Sequence, residues 1–250
     1  MADISLRNIT KLFGQTRALN DVSLDVPSGG VFVIMGLSGS GKSTLIRHIN
    51  RLIEPTSGTV TFDGQDITAL DAKALRAFRR RSVSMVFQGF GLMPHLNVLD
   101  NVAFGLAARG EAKDQAHATA RDWIRSVGLD GRESAYPDQL SGGMKQRVGL
   151  ARALATGTDT LLMDEAFSAL DPLIRADMQD LLLDLRRKTD NTVIFVTHDL
   201  AEAVRIGDRI AILRDGEVVQ TGTPGDILDH PADDYVARFV SVARLRKQPS

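Results

Sequence analysis

Gly36-Leu37-Ser38-Gly39-Ser40-Gly41-Lys42-Ser43-Thr44 is the stretch that decides the fold. Ahead of it, Val31-Phe32-Val33-Ile34-Met35 is apolar without alternation, the pattern of a strand buried on both faces. Behind it, the residues from about Ser43 to Leu52 read as a helix. In that strand–loop–helix setting the stretch fits G-x-x-x-x-G-K-[ST], a phosphate-binding loop. Its glycines, Gly36, Gly39 and Gly41, let the backbone fold so that successive N–H groups point inward at phosphate oxygens. The helix start adds partial positive charge. Lys42 can reach the β- and γ-phosphates, and the Ser43 hydroxyl can ligate Mg²⁺. Gly36, Ser38, Gly39, Ser40, Gly41, Lys42, Ser43 and Thr44 are therefore read as nucleotide-binding. A Gly/Ser-rich turn that binds nothing is the plain alternative, and the full pattern in its setting disfavours it.

A second apolar run, Thr160-Leu161-Leu162-Met163, ends at Asp164-Glu165. Asp164 at a strand end is placed to hold Mg²⁺ through water, and Glu165 to orient or deprotonate an attacking water. Alone, such a pair is more often a solvated turn. Beside a phosphate loop, the functional reading prevails.

Outward from these two strands the chain alternates short apolar runs with helical patterns. Ile4–Ile9, Val22–Val26, Thr59–Phe62, Val83–Phe87 and Thr192–Thr197 read as strands. A helix capped by Asp71 runs to about Arg81. From Gly89 to about Ala155 strand-like runs vanish and helices are expected near Val98–Ala108, Ala112–Val127 and Met144–Ala155. The expected division is an α/β core of 1–88 and 156–220, a helical insert of 89–155, and a tail of 221–250 with one short helix and a basic end (Arg244, Arg246, Lys247). A helix from Pro172 to about Lys188 carries Leu173, Ile174, Met178, Leu181, Leu182 and Leu185 at helical spacing. Arg209–Leu213 and Glu217–Gln220, joined at Asp215-Gly216, read as a hairpin.

Composition sets the outer bounds. The chain has 250 residues, 43% hydrophobic, enough for a sizeable core. Lys+Arg 30 nearly cancels Asp+Glu 31, so the net charge of -1 gives no general attraction to nucleic acid. With no cysteine, disulfide frameworks, iron–sulfur clusters and thiolate zinc sites are out. No apolar run approaches membrane-spanning length, and Met1-Ala2-Asp3-Ile4-Ser5 lacks the basic start and apolar stretch of a secretory signal. The expectation is a soluble intracellular α/β protein.

Leu140-Ser141-Gly142-Gly143-Met144-Lys145-Gln146 resembles the LSGGQ signature of ABC-type ATPases. With the phosphate loop before it and Asp164-Glu165 after it, motif order matches that family along nearly the whole chain. The resemblance implies a P-loop NTPase fold with a RecA-like core, an inserted helical subdomain and an N-terminal antiparallel β region. It also implies ATP and Mg²⁺ as ligands and hydrolysis as the activity. Ser141, Gly142 and Gly143 precede a helix and so form a second anion-binding helix start. In the family, two copies pair head to tail and this signature closes over the γ-phosphate held by the other copy. Gln88 matches the glutamine that contacts Mg²⁺ and the attacking water. Ser168-Ala169-Leu170-Asp171 matches the loop at the dimer seam, with Asp171 also a natural helix cap. His198 in Val196-Thr197-His198-Asp199 matches the histidine that senses the γ-phosphate, and Phe13 matches the aromatic that stacks on adenine.

Longer stretches are similar to the ATPase subunits of bacterial glycine betaine/proline betaine/choline importers. These are Ile34–Thr44, Asn50–Thr56, Leu92–His95, Val98–Asn101 and Met163–Arg175. That likeness implies two copies at the inner membrane face beneath permease subunits, which touch the insert near Phe90–Asn101, with a solute-binding protein delivering cargo. An importer for another solute, such as an amino acid or a sulfonate, is the nearest alternative. Family members acting on DNA or ribosomes usually carry a long coiled coil or two cassettes, and neither pattern occurs here. A non-hydrolysing ATP-gated module is disfavoured by the presence of Glu165 and His198. Many members of the importer group also have an extra helical stretch before the phosphate loop and a C-terminal pair of nucleotide-sensing domains. This sequence displays neither, so regulation through them is not expected. Gly89 and Gly91 around Phe90 depart from the bulkier neighbours of the family and predict a looser loop.

Overall fold

The computed structural model describes residues 3–246. Met1, Ala2 and residues 247–250, Lys247 of the basic end among them, lie outside the described residues, as do the side chains of Arg244 and Arg246. Backbone proximity divides the chain into two units. One comprises the stretches up to Asp71 and from Thr192 onward, the other Ala72–Asn191.

The first unit begins with β1 (Ile4–Phe13) and β2 (Thr16–Val26), an antiparallel pair that starts well before the apolar run Val22–Val26. Ile4, Leu6 and Ile9 are buried opposite Val26, Leu24 and Val22. Between Leu6 and Ile9 the register shifts, and Asn8 takes a left-handed φ of 52°. This bulge keeps Ile9 inward where strict alternation would have turned it out. β3 (Gly30–Met35) is buried along its whole length, as its unbroken apolarity requires. α1 (Lys42–Ile49) stops short of the expected Leu52. Asn50 caps it and Arg51 turns left-handed at φ 53°, which throws Leu52 out to 49% exposure. β4 (Ser57–Phe62) and β5 (Gln65–Asp66) form a hairpin over Asp63-Gly64, both at positive φ, as a tight two-residue turn demands. The antiparallel sheet has the order β2-β1-β4-β5.

The second unit contains α2 (Ala72–Ser82), β6 (Val83–Phe87), α3 (Val98–Ala108), α4 (Lys113–Ser126), α5 (Gly142–Ala155), β7 (Thr160–Asp164) and α6 (Pro172–Arg186). β6 and β7 are parallel, with Phe87 opposite Asp164. The loop entering α3 is built around Asn101, fully buried. Its amide accepts from Met93 N–H at 2.9 Å and donates to the carbonyls of Leu96 at 2.8 Å and Asn97 at 3.0 Å. A buried amide so satisfied fixes a loop that has no regular structure of its own. In α6, Met178, Leu182 and Leu185 are buried, whereas Leu173 is 80% exposed, so the apolar stripe starts later than its spacing suggests.

The chain returns to the first unit through β8 (Thr192–Thr197), α7 (Leu200–Ile206), β9 (Arg209–Arg214), β10 (Glu217–Gly222), α8 (Pro224–Asp229) and α9 (Asp234–Arg246). β3 lies between β8 and β9 and is parallel to both, and β9–β10 is the expected hairpin. α7 was not anticipated, and the tail holds two helices where one was expected. Among the described residues, no helix is long and apolar enough to cross a membrane.

Candidate nucleotide site

In the first unit the phosphate loop leaves the carboxyl end of β3 and opens α1, the sequence reading in three dimensions. Gly41 at φ 99° and Gly39 at φ 84° occupy conformations that other residues rarely adopt. Steric closeness fixes two glycines further. A Cβ at Gly36 would stand 2.4 Å from the Leu213 carbonyl, and one at Gly41 2.6 Å from that of Ala18. Hairpin β9–β10 backs the loop, since Gly216 N–H donates to Ser40 O at 3.1 Å. Inside the loop, Lys42 is only 4% exposed, and its ammonium donates to the Leu37 carbonyl at 2.9 Å. Ser40 Oγ is buried without a hydrogen-bond partner. A buried cation and an unpartnered buried hydroxyl at a helix start fit an anion such as phosphate. Beyond the loop, Met35 pairs with Thr197, so His198 leaves β8 beside Gly36, at the same strand edge. His198 is exposed. Phe13 ends β1 at 50% exposure with Lys11 Nζ 5.0 Å above its ring.

The second unit gathers the other predicted residues in the same manner. Because Phe87 pairs with Asp164, Gln88 and Glu165 leave adjacent parallel strands side by side. Asp164 is buried, and Glu165 takes a left-handed φ of 46°. A glutamate held there costs roughly 1–3 kcal/mol, the kind of strain that collects at functional sites. Gln88 Nε2 donates to Ser168 Oγ at 3.1 Å, and Ser168 Oγ donates to the Glu165 carbonyl at 2.8 Å. With its nitrogen so used, Gln88 retains Oε1 as an acceptor. Gln88 Oε1 and the Asp164 carboxylate, at the ends of adjacent strands, are oxygen donors of the kind that suits a hard cation such as Mg²⁺.

Ser141 caps α5, its hydroxyl accepting from Met144 N–H at 3.3 Å. Asp171 caps α6, accepting from Ile174 N–H at 3.0 Å. Gly142 and Gly143 lie against α6 and its approach. A Cβ at Gly143 would come 2.7 Å from Ile174 Cγ2, and one at Gly142 3.8 Å from Leu170 and 3.9 Å from the Phe90 ring. The loop after Gln88 is bonded despite its glycines. Phe90 and Gly91 are both left-handed, at φ 62° and 59°, and their carbonyls accept from Arg152 of α5 at 3.3 and 2.7 Å. Burial pushes the Arg152 guanidinium below its usual pKa. Sequence reasoning missed Arg152, which looks like one more basic residue on a helix.

A family model described as ABC transporter matches residues 19–168. The glycine betaine/proline betaine transport system ATP-binding protein ProV of Salmonella typhimurium is 57% identical over 94% of this chain. The match takes in 59% of ProV, so the chain spans about three fifths of that relative's length. The trimethylamine N-oxide transport system ATP-binding protein TmoW of Ruegeria pomeroyi is 48% identical, over 94% of this chain and 76% of its own. Among solved structures, a dimeric post-hydrolysis state of the ATP-binding cassette MJ0796 bound to ADP and Pi superposes with a TM-score of 0.81. It is 36% identical, over 88% of this chain and 98% of that one.

Proposed function

The chain belongs to the ABC transporter family, and on that premise we propose that it is the ATP-hydrolysing subunit of an importer for a quaternary-ammonium osmolyte such as glycine betaine, proline betaine or choline. The observation that carries the solute class is the 57% identity to ProV across nearly the whole chain. In this reading Lys42 and the loop amides bind the β- and γ-phosphates, and Phe13 stacks on the adenine. Ser43, Asp164 and Gln88 hold Mg²⁺, which neutralises charge on the transferring phosphoryl group. Glu165 takes the proton of the water that attacks the γ-phosphorus as the bond to the β–γ bridging oxygen breaks. Its left-handed backbone fixes where the carboxylate points, and fixed placement is most of what a phosphoryl-transfer site supplies. His198 senses the γ-phosphate.

Ser141, Gly142 and Gly143 of one copy cover the γ-phosphate bound by a second copy, and Asp171 lies at that seam. ATP then bridges the pair, and hydrolysis releases it. Two such copies work beneath permease subunits on the inner face of the membrane, supplied by a solute-binding protein. No role for nucleic acid is proposed.

The test is phosphate release by the wild-type chain and by Glu165→Gln, alone and in proteoliposomes with permease and binding protein. Gln fits the same backbone, so the substitution isolates the carboxylate. Turnover should fall about 10²–10⁴-fold while ATP binding persists. Wild-type turnover in Glu165→Gln would remove Glu165 from its role. Stimulation by trimethylamine N-oxide and not by glycine betaine would favour a different solute, trimethylamine N-oxide itself, for which the 48% identity to TmoW speaks.

A further inference from the structure

The C-terminal helix reaches the phosphate loop through one hydroxyl. Tyr235, at the start of α9, donates to the Leu213 carbonyl at 3.2 Å and accepts from the Leu37 N–H at 3.4 Å. Leu37 is a loop residue whose own carbonyl accepts from Lys42 Nζ at 2.9 Å and from Ser40 N–H at 3.2 Å. Leu213 is the residue whose carbonyl closes on Gly36. The hydroxyl therefore joins the loop to the strand behind it, one residue away from the buried lysine. Tyr235 is itself held in place. The Arg214 guanidinium lies 5.2 Å over its ring and pairs with Asp233 at 2.9 Å, while Phe239 meets the ring edge-on at 5.1 Å. Asp233 also caps the helix, accepting from Val236 N–H at 2.9 Å.

We propose that Tyr235 is a positioning residue for ATP binding. Through Leu37 it holds the carbonyl that places the Lys42 ammonium before nucleotide arrives, so α9 contributes to affinity without touching the ligand. This rests on the reading of Gly36–Thr44 as the nucleotide loop. A preorganised loop avoids an ordering cost on binding. Loss of that cost-saving appears in KM and leaves the chemical step alone, because the reacting atoms keep their neighbours.

The experiment compares wild type, Tyr235→Phe and Val240→Ala by calorimetric titration with ATP and Mg²⁺, steady-state turnover and thermal melting. Val240 is buried in the same helix. Tyr235→Phe should raise Kd and KM for ATP about three- to tenfold, with kcat within about twofold and the ligand-free melting temperature nearly unchanged. Val240→Ala should lower the melting temperature and keep the wild-type KM. An unchanged KM in Tyr235→Phe overturns the proposal, and so does an equal rise in Val240→Ala, which would mean general loosening of the helix. A wild-type chain that fails to bind ATP sinks the nucleotide reading first, and the same titration detects that before any variant is compared.

Discussion

Lys42 and His48 are both buried on α1, and each bears on stability differently. The Lys42 ammonium donates to a carbonyl within its own loop, where an anion would add a second partner. His48 is fully buried in the interior. Its Nδ1 lies 2.6 Å from the Thr44 carbonyl, an atom that only accepts, so Nδ1 carries the proton. Nε2 is buried with no hydrogen-bond partner and stays bare. Burial holds the imidazole below its ordinary pKa and nearby Lys11 acts the same way, against the Thr44 bond and Glu54, which act to raise it. The folded chain thus resists a proton that the unfolded chain takes up near 6.5. This contribution is therefore intact above that pH and is lost as pH falls below it. Urea unfolding at pH 7.5 and 5.5 should record the loss, and His48→Leu, with nothing to titrate there, should lose less stability between the two. An equal loss in both proteins would remove His48 as a cause.

At the scale of elements, α5 and α6 meet where a glycine is required. The Cβ of an alanine at 143 would stand 2.7 Å from Ile174 Cγ2, so helix α5 must shift or Ile174 must leave its rotamer. Gly143→Ala should cost about 1–3 kcal/mol in chemical unfolding. Ile174→Leu, which removes the branched methyl, should restore part of that loss, and additivity of the two changes would refute the contact as the cause. That a glycine belongs at 143 was legible from the signature motif, but its steric reason was not, because it lies in a helix distant in sequence. The same division runs through the fold. Val83–Phe87, Val98–Ala108 and Thr192–Thr197 stand where pattern put them, since burial imposed their apolar runs. The first part of β2 carries little apolar signal and is a strand because Phe13 and Leu12 pair with Thr16 and Arg17. α7 buries Leu200, Ala203 and Ile206 over too few turns for a period to be recognised. In the candidate site the strand-end positions of Gln88, Asp164, Glu165 and His198 were readable as motifs. The left-handed Glu165 and the Arg152 and Tyr235 links were not, because backbone strain and tertiary hydrogen bonds leave no spacing in a sequence.

At the scale of the whole molecule, the chain carries two helix starts suited to anions, the phosphate loop at α1 and the Ser141-capped start of α5, one in each unit. If each nucleotide is gripped by one copy's loop and covered by the other copy's signature, the two motifs fail independently and can complement each other. Lys42→Ala removes the buried cation. Ser141→Arg replaces an exposed capping hydroxyl with a bulky side chain where the γ-phosphate would be covered. Each variant alone spoils both sites of its homodimer. In a mixed dimer both lesions fall on the same site, and the other keeps an intact loop opposite an intact signature. Random pairing at equal concentrations makes about half of the dimers mixed, each with one sound site of two. Turnover should therefore return to as much as roughly a quarter of wild type, whereas the separate variants remain inactive. Phosphate release from the mixture, measured against each variant alone, distinguishes the arrangements. A self-contained site within one copy predicts no recovery at any mixing ratio, because neither variant can then supply the part that the other lacks.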